Sequence, residues 1–222
     1  MIHLQNLSKT YTLNGKHKVV ADNITATFPS GVSVALLGRN GAGKSSLLRM
    51  ISGAMLPSSG KVLSTGTISW PVGFAGSFSK ELTGEQNCRF VARVYGVDTD
   101  ELLHFVEDFA ELGDHFRMPI RTYSSGMRSR LAFGLSMAVP FDTYLVDEVS
   151  AVGDAAFKAK SNRVFNERMS KAGAIVVAHS MGLLRQICHM GAVLEKGRLT
   201  FYADVEEAIE AHMANMQPGA SG

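Results

Sequence analysis

The nine residues 38–46, GRNGAGKSS, constrain this chain more than any other segment, because they fit the phosphate-binding pattern G-x-x-x-x-G-K-[ST] without a mismatch. The segment before them, VSVALL at 32–37, is short, apolar and partly β-branched, as buried strands are. The segment after them, SSLLRMI at 45–51, alternates polar and apolar residues at helical spacing. Strand, loop and helix in this order favour nucleoside triphosphate binding over the simpler alternative, a glycine-rich turn before an ordinary helix.

Each residue type in this segment, called the phosphate loop below, has its own expected task. The glycines let backbone N–H groups turn toward a phosphate chain, and the helix N-terminus adds about half a positive charge at the same point. Lys44 is expected to reach the outer phosphates of the nucleotide, and the Ser45 hydroxyl is expected to face Mg2+. The expected nucleotide-binding residues of the loop are Gly38, Arg39, Asn40, Gly41, Ala42, Gly43, Lys44, Ser45 and Ser46.

Composition argues against several other classes of protein. The chain has 222 residues, 45% of them hydrophobic, which is enough for a sizeable core. Its 22 basic and 20 acidic residues give a net charge of +2, so no nucleic-acid partner is indicated. Cys88 and Cys188 lack metal-ligand spacing and are predicted to be reduced core residues. The first residues lack a signal-peptide pattern, and no apolar run reaches the ~20 residues that span a bilayer.

The apolar patterns predict an α/β fold with three parts. Residues 1–30 alternate like strands around a polar turn, which predicts an antiparallel sheet beside the nucleotide-binding core. Residues 75–138 are predicted to be mainly helical, and the final third alternates compact strands with helical patterns, as a parallel sheet wrapped by helices does. These parts are expected to form one domain, 1–222, in which residues 216–222 are a frayed tail.

Four local predictions refine this outline. Residues 83–86, TGEQ, have the pattern of a capping box, so a helix is predicted to begin there. Residues 55–62, MLPSSGKV, are predicted to be a turn, and residues 67–72, TISWPV, a short strand. The buried face of the capped helix is predicted from its apolar residues: Phe90, Val91, Val94 and Tyr95.

A second motif, TYLVDE at 143–148, is an apolar strand that ends in two adjacent carboxylates. Strand ends in α/β sheets are where catalytic groups are presented. Since neighbouring residues on a strand point in different directions, Asp147 can hold Mg2+ while Glu148 deprotonates or orients the water that attacks the γ-phosphate. Taken alone, a buried strand that simply ends in surface acids explains the pair equally well; the phosphate loop favours the catalytic interpretation.

Residues 123–127, YSSGM, precede a helical run at 128–137 and lie between the two motifs above. With them, the whole chain resembles the nucleotide-binding subunit of an ABC transporter, a family with a signature close to LSGGQ at this place. The resemblance implies that the signature faces ATP bound by the opposite subunit, whereas serine and glycine before a helix are by themselves more often a plain helix cap. The residues that match the signature are Ser124, Ser125, Gly126 and Met127.

The resemblance also implies roles for three isolated residues. Tyr11 matches the aromatic residue that stacks on adenine, although an aromatic residue in an early strand is otherwise more often packing. His179 follows an apolar strand where the family has a histidine that contacts the γ-phosphate; without the resemblance it would be taken as structural. Asp154, in the segment 151–154, matches a loop that links two active sites, and it can also cap the next helix.

One departure from the family concerns a glutamine that touches Mg2+ and the membrane subunit. This chain reads GFAGSFSKELTG at 73–84, and Gln86 comes too late to match, so the membrane-coupling loop is expected at Gly73–Ser79 without a glutamine. The wider segment 69–87, together with 121–138 and 145–154, is most similar to the ATPases of capsular polysaccharide exporters. O-antigen and teichoic-acid exporters share much of the pattern and are the nearest alternatives.

The resemblance implies an ATPase that forms a head-to-tail dimer at the cytoplasmic face of the bacterial inner membrane. Each ATP is expected between the phosphate loop of one copy and residues 124–127 of the other, with Lys44, Glu148 and His179 as the catalytic residues and Ser45 and Asp147 as Mg2+ ligands. The implied partners are a membrane permease, envelope-spanning polysaccharide export proteins and, indirectly, the polysaccharide.

Three other classes of protein share part of this pattern. A soluble ABC-type ATPase usually carries two cassettes or a coiled-coil insertion, and neither pattern occurs in this sequence. A P-loop kinase or GTPase would lack the signature, and a GTPase would need an N-K-x-D run, which is absent. A nucleotide-gated regulatory subunit differs only in lacking hydrolysis.

Overall fold

The computed structural model of this chain describes residues 1–13, 15–74, 76, 78–147 and 155–216. Its strands are β1 (Ile2–Leu13), β2 (Lys16–Phe28), β3 (Ser33–Leu37), β4 (Ser59–Ser64), β5 (Ile68–Pro71), β6 (Thr143–Asp147), β7 (Gly173–Val177), β8 (Met190–Glu195) and β9 (Arg198–Tyr202). Its helices are α1 (Lys44–Ile51), α2 (Gly84–Tyr95), α3 (Thr99–Ala110), α4 (Ser125–Ala138), α5 (Ala155–Met169), α6 (Met181–Ile187) and α7 (Val205–Met216). Short 3-10 turns lie at Gly113–Arg117 and Ile120–Thr122.

The chain divides into two compact units. The first contains the described residues of Met1–Pro71, Phe141–Glu148 and Met169–Gly222, and the second those of Val72–Pro140 and Val149–Arg168. The α/β fold with a parallel sheet, an antiparallel N-terminal sheet and an inserted helical part is therefore confirmed.

The first unit is built on two sheets. Strands β1, β2 and β4 form an antiparallel sheet in the order β2-β1-β4. The other six strands form a sheet in the order β5-β6-β7-β3-β8-β9, in which only the last pair, β8 and β9, is antiparallel. Because β6, β7 and β3 are parallel neighbours, their carboxyl ends lie at the same edge of the sheet.

One hydrophobic core joins the two sheets and α1. Leu4 and Phe28 come from the antiparallel sheet, Leu36 and Ile175 from the parallel sheet, and Leu48 from α1. All five side chains are buried, and burial of a side chain of this size contributes roughly 1.5–3 kcal/mol. The strand before the phosphate loop and the helix after it are thus both anchored in this core.

The predicted turn at residues 55–62 is only partly correct. Residues from Ser59 onward belong to β4, in which Val62 lies opposite Leu4 of β1. Most side chains of β4 are exposed, so its position is set by backbone hydrogen bonds to β1 and leaves no alternating apolar pattern in the sequence.

The second unit is helical, and its predicted capping box is confirmed. The Gln86 N–H donates to the Thr83 hydroxyl at 3.0 Å, and the Thr83 N–H donates to the Gln86 side chain at 2.9 Å. The core of the unit is aromatic: the ring of Phe109 lies 5.5 Å from that of Phe133 and 5.2 Å from that of Phe157. Aromatic contacts of this kind join α3, α4 and α5.

The predicted buried face of α2 is wrong. Phe90 and Val94 are 64% and 60% exposed, and Tyr95 is also exposed, while Val91 is half-buried. The helix packs through small and polar residues, which fit closely against the rest of the unit and gave no apolar signal in the sequence. This buried face consists of Gly84, Asn87, Cys88 and Ala92.

Both cysteines are buried free thiols, as predicted, and burial raises the pKa of Cys188 to about 12. The last helix extends through Met216, so that residue does not belong to a frayed tail, and residues 217–222 lie outside the described residues. Among the described residues, no helix combines the length and the apolar character needed to cross a membrane.

Candidate functional site

The backbone of the phosphate loop depends on glycine at two close approaches. Gly38 has φ +152°, and a Cβ there would lie 2.4 Å from the Leu194 carbonyl oxygen. Gly43 has φ +111°, and a Cβ there would lie 2.7 Å from the Cβ of Val20. Any side chain at either position would clash with a neighbouring strand, so the sequence pattern and the packing require the same residue type.

The loop leads into α1 without a side-chain cap. Gly43 is the N-cap residue, and its lack of a side chain leaves the first N–H groups of the helix without a local cap. The Lys44 ammonium donates to the carbonyl oxygens of Gly38 and Arg39 at 2.6 and 3.2 Å. A helix N-terminus and an ammonium group in one tight turn together form a site suited to a phosphate chain.

Tyr11 is held against the first turn of α1. Its hydroxyl is 3.0 Å from that of Ser46 and 3.1 Å from the sulfur of Met55. The Lys9 ammonium lies 5.4 Å from the centre of the Tyr11 ring. The structure therefore places the predicted adenine-stacking residue beside the phosphate loop; stacking itself remains a prediction.

The carboxyl ends of three strands bring further predicted residues together. Asp147 ends β6 and pairs with Val177 of β7, and His179 follows two residues after Val177. The next strand along the sheet is β3, which leads into Gly38. Asp147, His179 and the phosphate loop thus share one sheet edge, whereas Glu148 lies outside the described residues.

A cavity of about 370 Å3 opens at this edge. Three segments line it: the end of β3 with the phosphate loop, the end of β7 with the residues after it, and the last turns of α7. The residues on its wall are Leu36, Leu37, Gly38, Arg39, Asn40, Lys44, Val177, Ala178, His179, Met181, His212 and Met216.

His212 was missed by the sequence analysis. Burial, and to a smaller extent the charge of Lys44, lower the pKa of this histidine, while Glu195 opposes the shift. The sequence indicates only that this histidine lies on the buried face of a helix, because Val205, Ala208, Ile209 and His212 recur at helical spacing. A histidine on the buried face of a helix near the chain end therefore reaches the wall of the phosphate-loop cavity.

Substituting His212 by glutamine is expected to flatten the pH dependence of the free energy of unfolding. Because the folded state lowers the pKa of His212, the unfolded chain binds more protons just below about pH 6.5, so the wild type loses stability as the pH falls through that range. Glutamine does not titrate, and this loss should disappear. Urea unfolding between about pH 5 and 8 measures it.

His104→Gln is the matched control, since His104 is exposed on α3, and it should keep the wild-type slope. The other titratable groups around the cavity or acting on His212 stay in place in both variants: Arg39, Lys44, His179 and Glu195. An unchanged slope in His212→Gln would show that the histidine contributes nothing to acid sensitivity.

The predicted signature residues lie in the second unit, at the start of α4. Ser124 is the N-cap of this helix, and its hydroxyl accepts a hydrogen bond from the Met127 N–H at 3.2 Å. Ser125 and Gly126 form the first turn. The capping role is thus observed, and contact with a nucleotide remains a prediction. Asp154 and the segment 151–154 lie outside the described residues.

The expected coupling loop, Gly73–Ser79, is held at both ends. The Gly73 N–H donates to the Ser136 hydroxyl at 3.3 Å. The Ser79 N–H donates to the side-chain oxygen of the buried Asn87 at 3.0 Å, and the Asn87 amide donates to the Ser79 carbonyl. Residues 75 and 77 lie outside the described residues.

Comparison with known proteins agrees with this geometry. Residues 21–151 match the protein family described as ABC transporter. The chain is 51% identical over 216 residues to the polysialic acid transport ATP-binding protein KpsT of Escherichia coli, with 96% of each chain covered. It is 43% identical over 210 residues to the capsule polysaccharide export ATP-binding protein CtrD of Neisseria meningitidis serogroup B, covering 95% of this chain and 97% of that protein.

A more distant relative and a solved structure extend the comparison. The O-antigen export system ATP-binding protein RfbB of Klebsiella pneumoniae is 36% identical over 208 residues, covering 92% of this chain and 85% of that protein. The fold is similar to the ATP-binding cassette MJ0796 in a dimeric post-hydrolysis state bound to ADP and Pi. The TM-score is 0.71 at 21% identity, with 91% of this chain and 98% of that chain covered.

Proposed function

Since this chain belongs to the ABC transporter family, we propose that it is the ATP-hydrolysing subunit of a transporter that exports a capsular polysaccharide across the bacterial inner membrane. The observation that carries the proposal is the 51% identity to a polysialic acid transport ATP-binding protein over 96% of both chains. Identity falls to 36% for the O-antigen export protein, and coverage of that protein falls to 85%. Both differences favour a capsular polymer over the O-antigen alternative.

The phosphate-loop geometry supports binding of a nucleoside triphosphate, which is proposed to be ATP. Lys44 and the loop N–H groups would neutralise the phosphates, and Tyr11 would stack on adenine. His179, at the same sheet edge, would contact the γ-phosphate, and Glu148 would take the proton from the attacking water.

The residues present fit Mg2+, which prefers oxygen ligands. The Ser45 hydroxyl stands in the first turn of α1, and the Asp147 carboxylate ends β6, two strands from β3 in the sheet. The two oxygen groups would hold the ion, whose positive charge would offset the negative charge of the phosphates. Ser45 and Asp147 are therefore the proposed metal ligands.

The second half of the proposed site belongs to another copy of the chain. Residues Ser124, Ser125, Gly126 and Met127 of that copy would face the ATP, and its Asp154 would link the two sites. The start of α4 supports this proposal because the first turn of a helix with a serine cap favours an anion. ATP would close such a head-to-tail dimer, and hydrolysis would reopen it.

The membrane permease is the proposed partner of the second unit. Phe90 and Val94, four residues apart on α2, are more than half exposed. Neighbouring exposed hydrophobic residues of this kind are typical of a protein–protein interface. The segment Gly73–Ser79 belongs to the same unit and is the proposed coupling loop. The chain would then act as a peripheral subunit at the cytoplasmic face of the inner membrane, together with envelope-spanning polysaccharide export proteins.

Deleting the gene is expected to remove the capsular polymer from the cell surface and to leave polymer inside the cell, because synthesis continues without export. Surface polymer can be measured with a polymer-specific antibody on intact cells, and internal polymer on lysed cells. The wild-type gene supplied on a plasmid should reverse both changes. Unchanged surface polymer in the deletion strain would overturn the capsular assignment.

A further inference from the structure

We propose that Lys18 is a second lysine that binds the phosphate chain of the nucleotide, at the middle of the phosphate loop rather than at its start. The inference rests on the proposed ATP binding and adds a residue outside the loop pattern. Its basis is the close approach of β2 to the phosphate loop.

Strand β2 lies directly against the phosphate loop through one of its faces. A side chain at Gly43 would begin 2.7 Å from the Cβ of Val20, and a side chain at Gly41 would begin 3.4 Å from the Lys18 ammonium nitrogen. The β1–β2 pairing is irregular between Val19 and Ala21, and the two distances show that both Val20 and Lys18 nevertheless approach the loop. The Val20 side chain packs against Gly43, and the Lys18 ammonium group lies beside Gly41.

The register of the hairpin places Lys18 beside the proposed adenine-stacking residue. Tyr11 of β1 pairs with Lys18 of β2, and residues directly opposite in an antiparallel pair point to the same face. That face is turned toward α1, because the Tyr11 hydroxyl lies 3.0 Å from that of Ser46. A nucleotide with its base on Tyr11 and its phosphates on the loop would pass the Lys18 ammonium group.

The charge of Lys18 is available for such a contact. Its side chain is exposed, and no carboxylate among the described residues forms an ion pair with it. Lys44, in contrast, donates to carbonyl oxygens at the Gly38 end of the loop. Two ammonium groups at different points of one loop suit a ligand whose negative charge extends over several phosphates.

Lys18→Ala is expected to weaken ATP binding about fivefold, the scale of a charge contact partly screened by solvent. The effect should be smaller for AMP, which carries less phosphate charge, and should shrink at high salt. Lys18→Arg, which keeps the charge, should restore most of the affinity. Lys61→Ala, which removes a charge from β4 of the same sheet, should bind like the wild type. Competition against a fluorescent ATP analogue measures the nucleotide affinity of the wild type and of the three variants.

The binding results separate the proposed role of Lys18 from the proposed function of the protein. Equal ATP affinity of Lys18→Ala and the wild type would overturn the inference while the proposed function stands. Equal weakening of ATP and AMP would also overturn it, since the lysine would then act through the hairpin or the base. A wild-type protein that fails to bind ATP would overturn the proposed function, and the role of Lys18 with it.

Discussion

Replacing Glu148 with glutamine is expected to reduce ATP turnover about 10²–10⁴-fold while ATP still binds, because an amide cannot take the proton from the attacking water. The residue itself lies outside the described part of the chain, but it follows Asp147, which ends β6 at the sheet edge shared with the phosphate loop. Phosphate release at saturating ATP and Mg2+ measures turnover, and nucleotide titration measures binding separately.

Glu210→Gln is the matched control, because it makes the same chemical change at an exposed position of α7 and should keep full turnover. In the Glu148→Gln protein, ATP should also hold two copies together, since hydrolysis is proposed to reopen the dimer; size-exclusion chromatography with ATP detects this. Turnover near the wild-type rate would remove Glu148 from the role of base. A wild-type protein that binds ATP without hydrolysing it would favour the nucleotide-gated regulatory subunit.

The parts of the fold that were predictable are those in which local pattern and tertiary packing agree. The phosphate loop is one: Gly38 and Gly43 satisfy a sequence pattern, and both positions are also too crowded for a side chain. The β1–β2 hairpin is another, because the alternating residues Leu4 and Ile24 are buried as alternation predicts.

The predictions failed where packing selects residues without an apolar signature. Helix α2 buries Asn87 and Ala92 and exposes Phe90, because the fit of small side chains and the hydrogen bonds of the Asn87 amide decide its orientation. Strand β4 escaped prediction because backbone pairing with β1 determines it.

The candidate site was predictable only as far as its residues belong to a motif. Lys44 and Asp147 are found by pattern and strand position. His212 and Lys18 come from distant segments that the topology brings to the loop, and nothing in their local sequence indicates this neighbourhood. A structure was needed to find them because adjacency in a sheet is independent of separation along the chain.

Lys44→Ala is expected to weaken ATP binding about 10- to 100-fold and to abolish measurable turnover, because the phosphates lose a charge-assisted partner. In the folded protein the Lys44 ammonium also donates to the Gly38 and Arg39 carbonyl oxygens, so the substitution removes a support of the loop as well. Isothermal titration with ATP measures the affinity, and thermal unfolding verifies that the variant is folded.

Two further variants, Lys61→Ala and Lys44→Arg, separate the loss of the phosphate contact from the loss of the support that Lys44 gives to the loop. The Lys61→Ala variant removes a charge from an exposed position of β4 in the same unit and should bind ATP normally. The second keeps the positive charge but presents a wider planar group, so partial binding without turnover would indicate that charge holds the nucleotide and geometry positions it. Normal ATP binding by a folded Lys44→Ala protein would contradict the phosphate-loop interpretation itself. Every assignment that depends on this loop, the second lysine at Gly41 included, would then fail with it.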